Sequence, residues 1–173
     1  YIADACGLKG NEVMLLSNKK LNVALATTHI ALKDVPSKIT RKSLCATIST
    51  LHHDLKKKFN IPQPKITVTG LNPHSGEDGE FGDEEIKIIK PAICEMEKKG
   101  ILVNGPIPAD TAFTLKIMKK TDCYLAMYHD QGLAPFKALT FGKGVNVTLG
   151  LPIIRTSVDH GTGCLLYTSP SPR

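Results

Sequence analysis

The chain has 173 residues, of which 42% are hydrophobic and 22% are charged, and its formal net charge at pH 7 is +6. This length suffices for one domain with a hydrophobic core, and no apolar run approaches the roughly 20 residues that a membrane-spanning helix needs. The basic residues are scattered and only 5% of the residues are aromatic, which disfavours nucleic-acid binding by base stacking. An anionic small substrate or a solvated surface explains the charge better.

The five cysteines are dispersed, without a Cys-x-x-Cys pair. Their odd number and irregular spacing are typical of reduced, mostly buried thiols, so we expect a cytoplasmic protein without a cysteine zinc site. No signal peptide is visible. Because the sequence opens without Met, in the middle of a helix-like pattern, its natural N-terminus is expected further upstream. The cysteines are Cys6, Cys45, Cys94, Cys123 and Cys164.

The chain begins with the end of a predicted helix and then two strand-like segments. A turn is predicted at Gly10-Asn11 and a short strand over residues 12–16. A second apolar run, residues 22–28, leads directly to His29. A strand that stops at a polar side chain is typical of α/β sheets, which bind ligands outside the carboxyl ends of their strands.

A polar loop that carries Lys33, Asp34 and Pro36 comes next, and a long amphipathic helix follows it. From Ile39 to Phe59 apolar residues recur every three to five positions, which predicts one buried helix face. The next strand-like run, residues 66–70, leads through Asn72-Pro73 to His74 and a glycine-rich loop that ends at Gly82.

The third quarter of the chain is predicted to be mainly helical. Acidic residues at 83–85 favour the start of a helix that reaches Lys99, with Gly100 as its stop. Residues 104–108, which contain two prolines, are predicted to form a loop. A further helix is predicted from Ala109 through Lys119.

A third buried strand, residues 124–128, stops at His129-Asp130-Gln131, and Gly132 is expected to turn the backbone sharply. A helix or loop comes next, and then a short β pair formed by residues 145–149 and 153–154. This alternation predicts an α/β fold with a mostly parallel sheet flanked by helices. Residues 1–163 form that unit, whereas residues 164–173 lack any period, end in a Ser/Pro alternation and are expected to be a non-native, disordered tail.

Three histidines therefore occupy equivalent places after three strands, namely His29, His74 and His129. Each alone is better explained by packing or surface exposure, but three imidazoles at one sheet edge would suit a divalent ion with positions open to substrate. Carboxylates nearby could orient the imidazoles or relay protons, although a helix-start role is equally plausible for Asp110. The candidate carboxylates are Asp34, Asp110 and Asp130.

Cationic and amide side chains follow on the same side of the sheet as His129. Lys137, Asn146 and Arg155 suit a substrate that carries phosphate and carboxylate groups. Surface charge is a fair competing explanation for Lys137. It is weaker for Arg155, which follows an apolar run where an unpaired charge would be costly. Neither a G-x-G-x-x-G motif nor a P-loop is present.

These segments together resemble the 4-hydroxythreonine-4-phosphate dehydrogenase family of pyridoxal phosphate biosynthesis. The similarity covers roughly residues 1–162, in order and at the family's spacing. The segments that carry it are Thr27-Thr28-His29, Leu32-Lys33-Asp34, Gly70-Leu71-Asn72-Pro73-His74, Asn104-Gly105-Pro106, Pro108-Ala109-Asp110-Thr111, Tyr128-His129-Asp130-Gln131-Gly132, and Gly144-Val145-Asn146 through Arg155 to Thr162.

The resemblance implies a fold like that of isocitrate and isopropylmalate dehydrogenases, and a homodimer with the active site at the subunit interface. It implies oxidation of 4-phosphooxy-L-threonine by NAD (or NADP), with a divalent metal ion such as Zn, Mg or Co. The product, 2-amino-3-oxo-4-phosphooxybutanoate, would decarboxylate to 3-amino-2-oxopropyl phosphate. The implied metal ligands are His29, His74 and His129, the implied substrate-binding residues are Lys137, Asn146 and Arg155, and the implied cofactor-binding residues are Asp159, His160, Gly161 and Thr162.

The sequence departs from the family at both ends. An N-terminal part with a Gly-His-Thr-Glu segment that contacts substrate is not in the chain, and the family's sequence beyond Thr162 is replaced by the unusual tail. The chain is therefore expected to be a central part of the enzyme. A related dehydrogenase acting on 4-phospho-D-threonate or 4-phospho-D-erythronate, a basic nucleic-acid-binding domain, and a partly folded inactive piece are the alternatives.

Overall fold

The computed structural model describes residues 12–141 and 143–158 of the chain. Their centre is one seven-stranded sheet with the order β4-β3-β5-β2-β1-β6-β7. Strands β2, β3, β4, β5 and β6 run in one direction, and β1 and β7 run in the other. The strands are β1 (Val13–Asn18), β2 (Leu21–Leu25), β3 (Lys65–Thr69), β4 (Leu102–Ile107), β5 (Cys123–Ala126), β6 (Val145–Leu149) and β7 (Arg155–Val158).

Helices cover both faces of the sheet. The longest, α2, begins with a capping box in which Thr40 accepts a hydrogen bond from the backbone N–H of Ser43. A π-helical turn, Glu85–Ile89, leads into α3. The helices are α1 (Val35–Lys38), α2 (Arg41–Lys58), α3 (Lys90–Lys98), α4 (Ala109–Ala112), α5 (Leu115–Met118) and α6 (His129–Thr140). Within the described residues, no helix is both long and apolar enough to cross a membrane.

The alternation of side chains along the strands builds two hydrophobic clusters. Leu15 points to the face covered by α2 and α3, where residues such as Leu51 and Met96 are fully buried. Leu16 points to the opposite face, where Phe136 of α6 packs. Burying a side chain of this size contributes about 1.5–3 kcal/mol to folding stability, so both clusters help to stabilise the sheet.

The structure confirms the α/β fold and the mostly parallel sheet, together with the long helix and the stop at Gly100, which has φ +79°. The predicted loop over residues 104–108 is wrong, because Leu102–Ile107 form β4. Pro106 is tolerated there because β4 is an edge strand of the described sheet, which needs ladder hydrogen bonds on one side only. The single helix predicted over 109–119 is also wrong, and the chain forms the two short helices α4 and α5 instead.

Gly132 does not turn the chain as predicted. It lies inside α6, and a Cβ there would come within 2.8 Å of Leu25 Cδ2 and 2.9 Å of Val23 Cγ1. Glycine is needed because α6 packs directly on β2. The strand predicted at 153–154 begins only at Arg155. The predictions for residues 1–11 and 159–173, including the predicted tail, concern segments outside the described residues.

Candidate active site

The three histidines lie beyond the carboxyl ends of three adjacent parallel strands. In the sheet, β5 lies between β3 and β2. His129 is the first residue of α6 and follows the end of β5 by three residues, and His29 and His74 follow the ends of β2 and β3 by four and five residues. The strand order therefore brings the three segments to one edge, as the sequence predicted.

The rings of His29 and His129 are neighbours. Their centroids are 5.6 Å apart and the rings are tilted by 46°. Both line a hollow of about 350 Å³ together with Tyr128 and Asp130. The Nδ1 of His129 lies 2.7 Å from Asp130 Oδ1. When Nδ1 carries the proton it donates to Asp130, and Nε2 keeps its lone pair for a ligand.

His74 lies in a second hollow. Its ring centroid is 6.1 Å from that of Phe81, and it lines a space of about 280 Å³ with Asp110 and Gln131. Tyr128 lines this hollow as well as the one with His29 and His129. The part of the chain that the structure describes contains no group of three or more His, Cys, Asp or Glu side chains that could share a metal ion. One chain thus brings together two of the three candidate ligands.

Gln131 braces this edge, a role that the sequence analysis did not assign to it. Its Oε1 accepts hydrogen bonds from Met127 N and from Thr69 Oγ1, each 2.7 Å long. Its Nε2 donates to Gly70 O at 2.8 Å. The side chain therefore joins the end of β3 to the end of β5. The sequence feature that could have indicated this role is the position of Gln131, two residues after His129.

A third and larger hollow, of about 600 Å³, extends from His29 toward β6 and β7. Asn146 and Arg155 line it, as does Lys38, which the sequence analysis did not single out. Arg155 donates from Nη1 to Thr148 Oγ1 at 2.8 Å. The Oδ1 atom of Asn146 is buried and has no hydrogen-bond partner among the described residues. The hollow is therefore lined by two cationic side chains, the carboxylate of Glu12 and an amide whose buried oxygen is unpaired within the described chain, next to an imidazole.

The remaining predicted site residues within the described chain do not line the third hollow. Lys137 is exposed on α6 and does not line this hollow. Asp34 is exposed in a 3₁₀ turn, and its side chain makes no hydrogen bond to an imidazole within the described residues. Asp110 is exposed in α4 and shares the hollow of His74. Asp159, His160, Gly161 and Thr162 lie outside the described residues.

Residues 1–167 match a protein-family model described as pyridoxal phosphate biosynthetic protein PdxA. A 4-hydroxythreonine-4-phosphate dehydrogenase from Klebsiella pneumoniae is 45% identical, with a TM-score of 0.81, over 87% of this chain and 45% of that protein. The enzyme of the same name from Burkholderia phymatum is 43% identical, with a TM-score of 0.84, over 92% of this chain and 48% of its own.

A more distant structure is a terephthalate 1,2-cis-dihydrodiol dehydrogenase from Burkholderia xenovorans. It is 27% identical, with a TM-score of 0.76, over 84% of this chain and 46% of its own. The chain therefore spans a little under half the length of each of these enzymes.

Proposed function

The chain belongs to the pyridoxal phosphate biosynthetic protein PdxA family, and from that membership we propose that it is the central part of an enzyme that oxidises 4-phosphooxy-L-threonine. The reaction removes a hydride from the carbon that bears the hydroxyl and a proton from its oxygen, and it yields 2-amino-3-oxo-4-phosphooxybutanoate. Loss of CO₂ leaves its bonding electrons on the ketone-activated carbon and gives 3-amino-2-oxopropyl phosphate. NAD (or NADP) is the proposed hydride acceptor.

The observation that carries this proposal is the continuity of the site. His29 lines both the hollow shared with His129 and the larger hollow that contains Asn146 and Arg155. A substrate that carried anionic groups at Arg155 would therefore reach the imidazoles with its hydroxyl. Arg155 can bind a phosphate or carboxylate through two parallel hydrogen bonds. Asn146 lines the same hollow, and its amide group is proposed to hydrogen-bond to the substrate's ammonium or hydroxyl group.

The imidazole donors fit a divalent ion such as Zn or Co, with His29, His74 and His129 as the proposed ligands. Imidazole nitrogen suits zinc and cobalt, and the bond from His129 to Asp130 leaves Nε2 of that ring available. Such an ion supplies Lewis-acid polarisation of the hydroxyl that is oxidised. Because one chain places His74 in a separate hollow, we propose a homodimer with the active site at the interface and the three ligands drawn from both subunits.

The remaining residues receive supporting roles in this proposal. Asp130 orients His129, and Asp110 orients His74 or moves its proton. Asp34 relays protons to solvent, and Lys137 contacts the substrate from a second subunit. The dinucleotide would meet the segment Asp159–Thr162. A cytoplasmic location is proposed because Cys45, Cys94 and Cys123 are all free thiols.

Assays of the full-length protein test the proposal. We expect NAD reduction with 4-phosphooxy-L-threonine that exceeds the rate with 4-phospho-D-threonate or 4-phospho-D-erythronate. Arg155→Lys should raise KM about tenfold or more, because one lost charged hydrogen bond costs about 1.5–3 kcal/mol. Arg41→Lys, at an exposed arginine paired with Glu95 outside the hollow, is the matched control. A preference for either D-configured acid would assign the chain to the related dehydrogenases instead.

A further inference from the structure

The segment that carries His74 has an unusual backbone. His74, Ser75, Glu77 and Asp78 all have φ between +40° and +54°, and Gly76 has φ +82°. Non-glycine residues seldom occupy this left-handed region, and a run of them persists only where surrounding contacts impose it. The contacts that impose the turn therefore determine where the His74 ring lies.

The main contact comes from Glu85, a fully buried carboxylate. Its Oε1 accepts hydrogen bonds from the backbone N–H groups of Leu71 at 2.7 Å and Asn72 at 2.8 Å. Its Oε2 accepts from Asn72 Nδ2 at 2.9 Å. Within the described residues Glu85 forms no salt bridge, so its charge is offset by amide donors from the segment that precedes His74. A buried carboxylate held in this way is costly unless every one of these bonds is made.

The loop also closes over the other side of the carboxylate. A Cβ at Gly76 would lie 2.8 Å from Glu85 Oε2 and 2.9 Å from Gly82 O. Only glycine fits, and the loop wraps around the carboxylate before and after His74. Helix-start preference does not explain Glu85, because its carboxylate bonds to the strand-end loop instead of capping its own helix.

We propose that Glu85 is the positioning residue for His74: its carboxylate shapes the left-handed turn that holds the imidazole in place for metal binding. This inference rests on the proposed function, in which His74 is a metal ligand. Glu85 touches neither metal nor substrate and acts only through the loop.

The test is a double-mutant cycle in the full-length protein, with zinc affinity as the measurement. In Glu85→Gln one acceptor oxygen remains for the two backbone N–H groups, but the new NH₂ faces Asn72 Nδ2. The Asn72 amide cannot simply turn over, because Nδ2 also donates to Glu84 Oε2 at 2.7 Å. We expect zinc affinity to fall about 10- to 100-fold, the range typical of groups that orient a metal ligand. The visible spectrum of the cobalt-loaded protein should change as well.

The decisive comparison is the same substitution in a His74→Ala background. If Glu85 acts through His74, Glu85→Gln should change zinc affinity no further there, whereas a general structural role would lower it equally in both backgrounds. Glu80→Gln removes the same charge from an exposed position in the same loop, and we expect it to stay within about twofold of wild type.

Two results would overturn the inference and they are distinguishable. Equal zinc affinity of wild type and Glu85→Gln, with affinity measurably weakened in His74→Ala, would overturn the positioning role alone. Zinc binding that does not depend on His74 would overturn the ligand assignment in the proposed function as well. Should Glu85→Gln not fold, Gly76→Ala, which presses a methyl group against the same carboxylate, is tested in the same cycle with the same expected outcome.

Discussion

Asp54 ties the end of α2 to the turn that precedes Arg155, and its replacement tests that link. Its side chain is only 4% exposed. Oδ2 accepts hydrogen bonds from Lys58 Nζ at 2.7 Å and from Gly150 N at 2.8 Å, and Oδ1 lies 2.9 Å from His53 Nδ1. Lys58 also donates to Leu151 O at 2.8 Å. Asp54→Asn preserves the shape and one acceptor oxygen but removes the charge.

The expected loss follows from these bonds. A charge-assisted hydrogen bond contributes about 1.5–3 kcal/mol and a neutral one about 0.5–1.5 kcal/mol, so weakening two of them should cost about 2 kcal/mol. For a protein of this size that lowers Tm by about 4–8 °C. Thermal and denaturant unfolding followed by circular dichroism measure both quantities. Asp83→Asn, which removes an exposed carboxylate paired with Lys87, is the control and should change stability by less than about 0.5 kcal/mol.

Asp54→Asn should also change how the free energy of unfolding depends on pH. Burial alone would raise the pKa of Asp54, but the hydrogen bonds from Lys58, Gly150 and His53 outweigh it and hold the pKa below its ordinary value of 3.8. The stabilisation is therefore fully present above about pH 3.8 and is lost as the pH falls through the lower folded-state pKa. Asp54→Asn should lack this part of the acid unfolding curve. A variant as stable as wild type, with the same acid dependence, would refute the reasoning.

Three further substitutions test the packing that supports the site, each by chemical denaturation. Gly132→Ala should lower the free energy of unfolding by about 1–3 kcal/mol, because the new methyl group meets Leu25. Helix propensity alone predicts the opposite, a gain in stability of up to about 1 kcal/mol. Such a gain would show that α6 and β2 do not pack tightly. Tyr124→Phe should cost about 1 kcal/mol, because it removes the buried hydrogen bond to Ala112 O, and no loss would contradict that bond. Thr40→Ala should cost about 1 kcal/mol through the lost cap of α2, and an unchanged midpoint would contradict the capping geometry.

The sequence was sufficient for features that depend on local periodicity. The apolar spacing between Ile39 and Phe59 predicted α2, and the three apolar runs that end near His29, His74 and His129 predicted three neighbouring strand ends. Each of these patterns reflects a single element with one buried face, so it is readable without knowledge of the rest of the chain.

Features that depend on contacts between distant segments could not be predicted in this way. Gly132 was interpreted as a turn, because nothing near it in sequence shows that Leu25 packs against it. Glu85 was expected to favour a helix start, whereas its partners Leu71 and Asn72 lie more than ten residues earlier. The prolines near Gly105 suggested a loop because the edge position of β4 is visible only in the assembled sheet.

Zinc binding by the full-length protein tests the central claim most directly. Wild type would be compared with a variant in which His29, His74 and His129 are all changed to alanine, and with His53→Ala, an exposed imidazole outside the site. We predict tight zinc binding by wild type and His53→Ala, lost in the triple variant together with NAD reduction. Zinc binding of equal strength in all three proteins would contradict the assignment of these strand ends as the metal site.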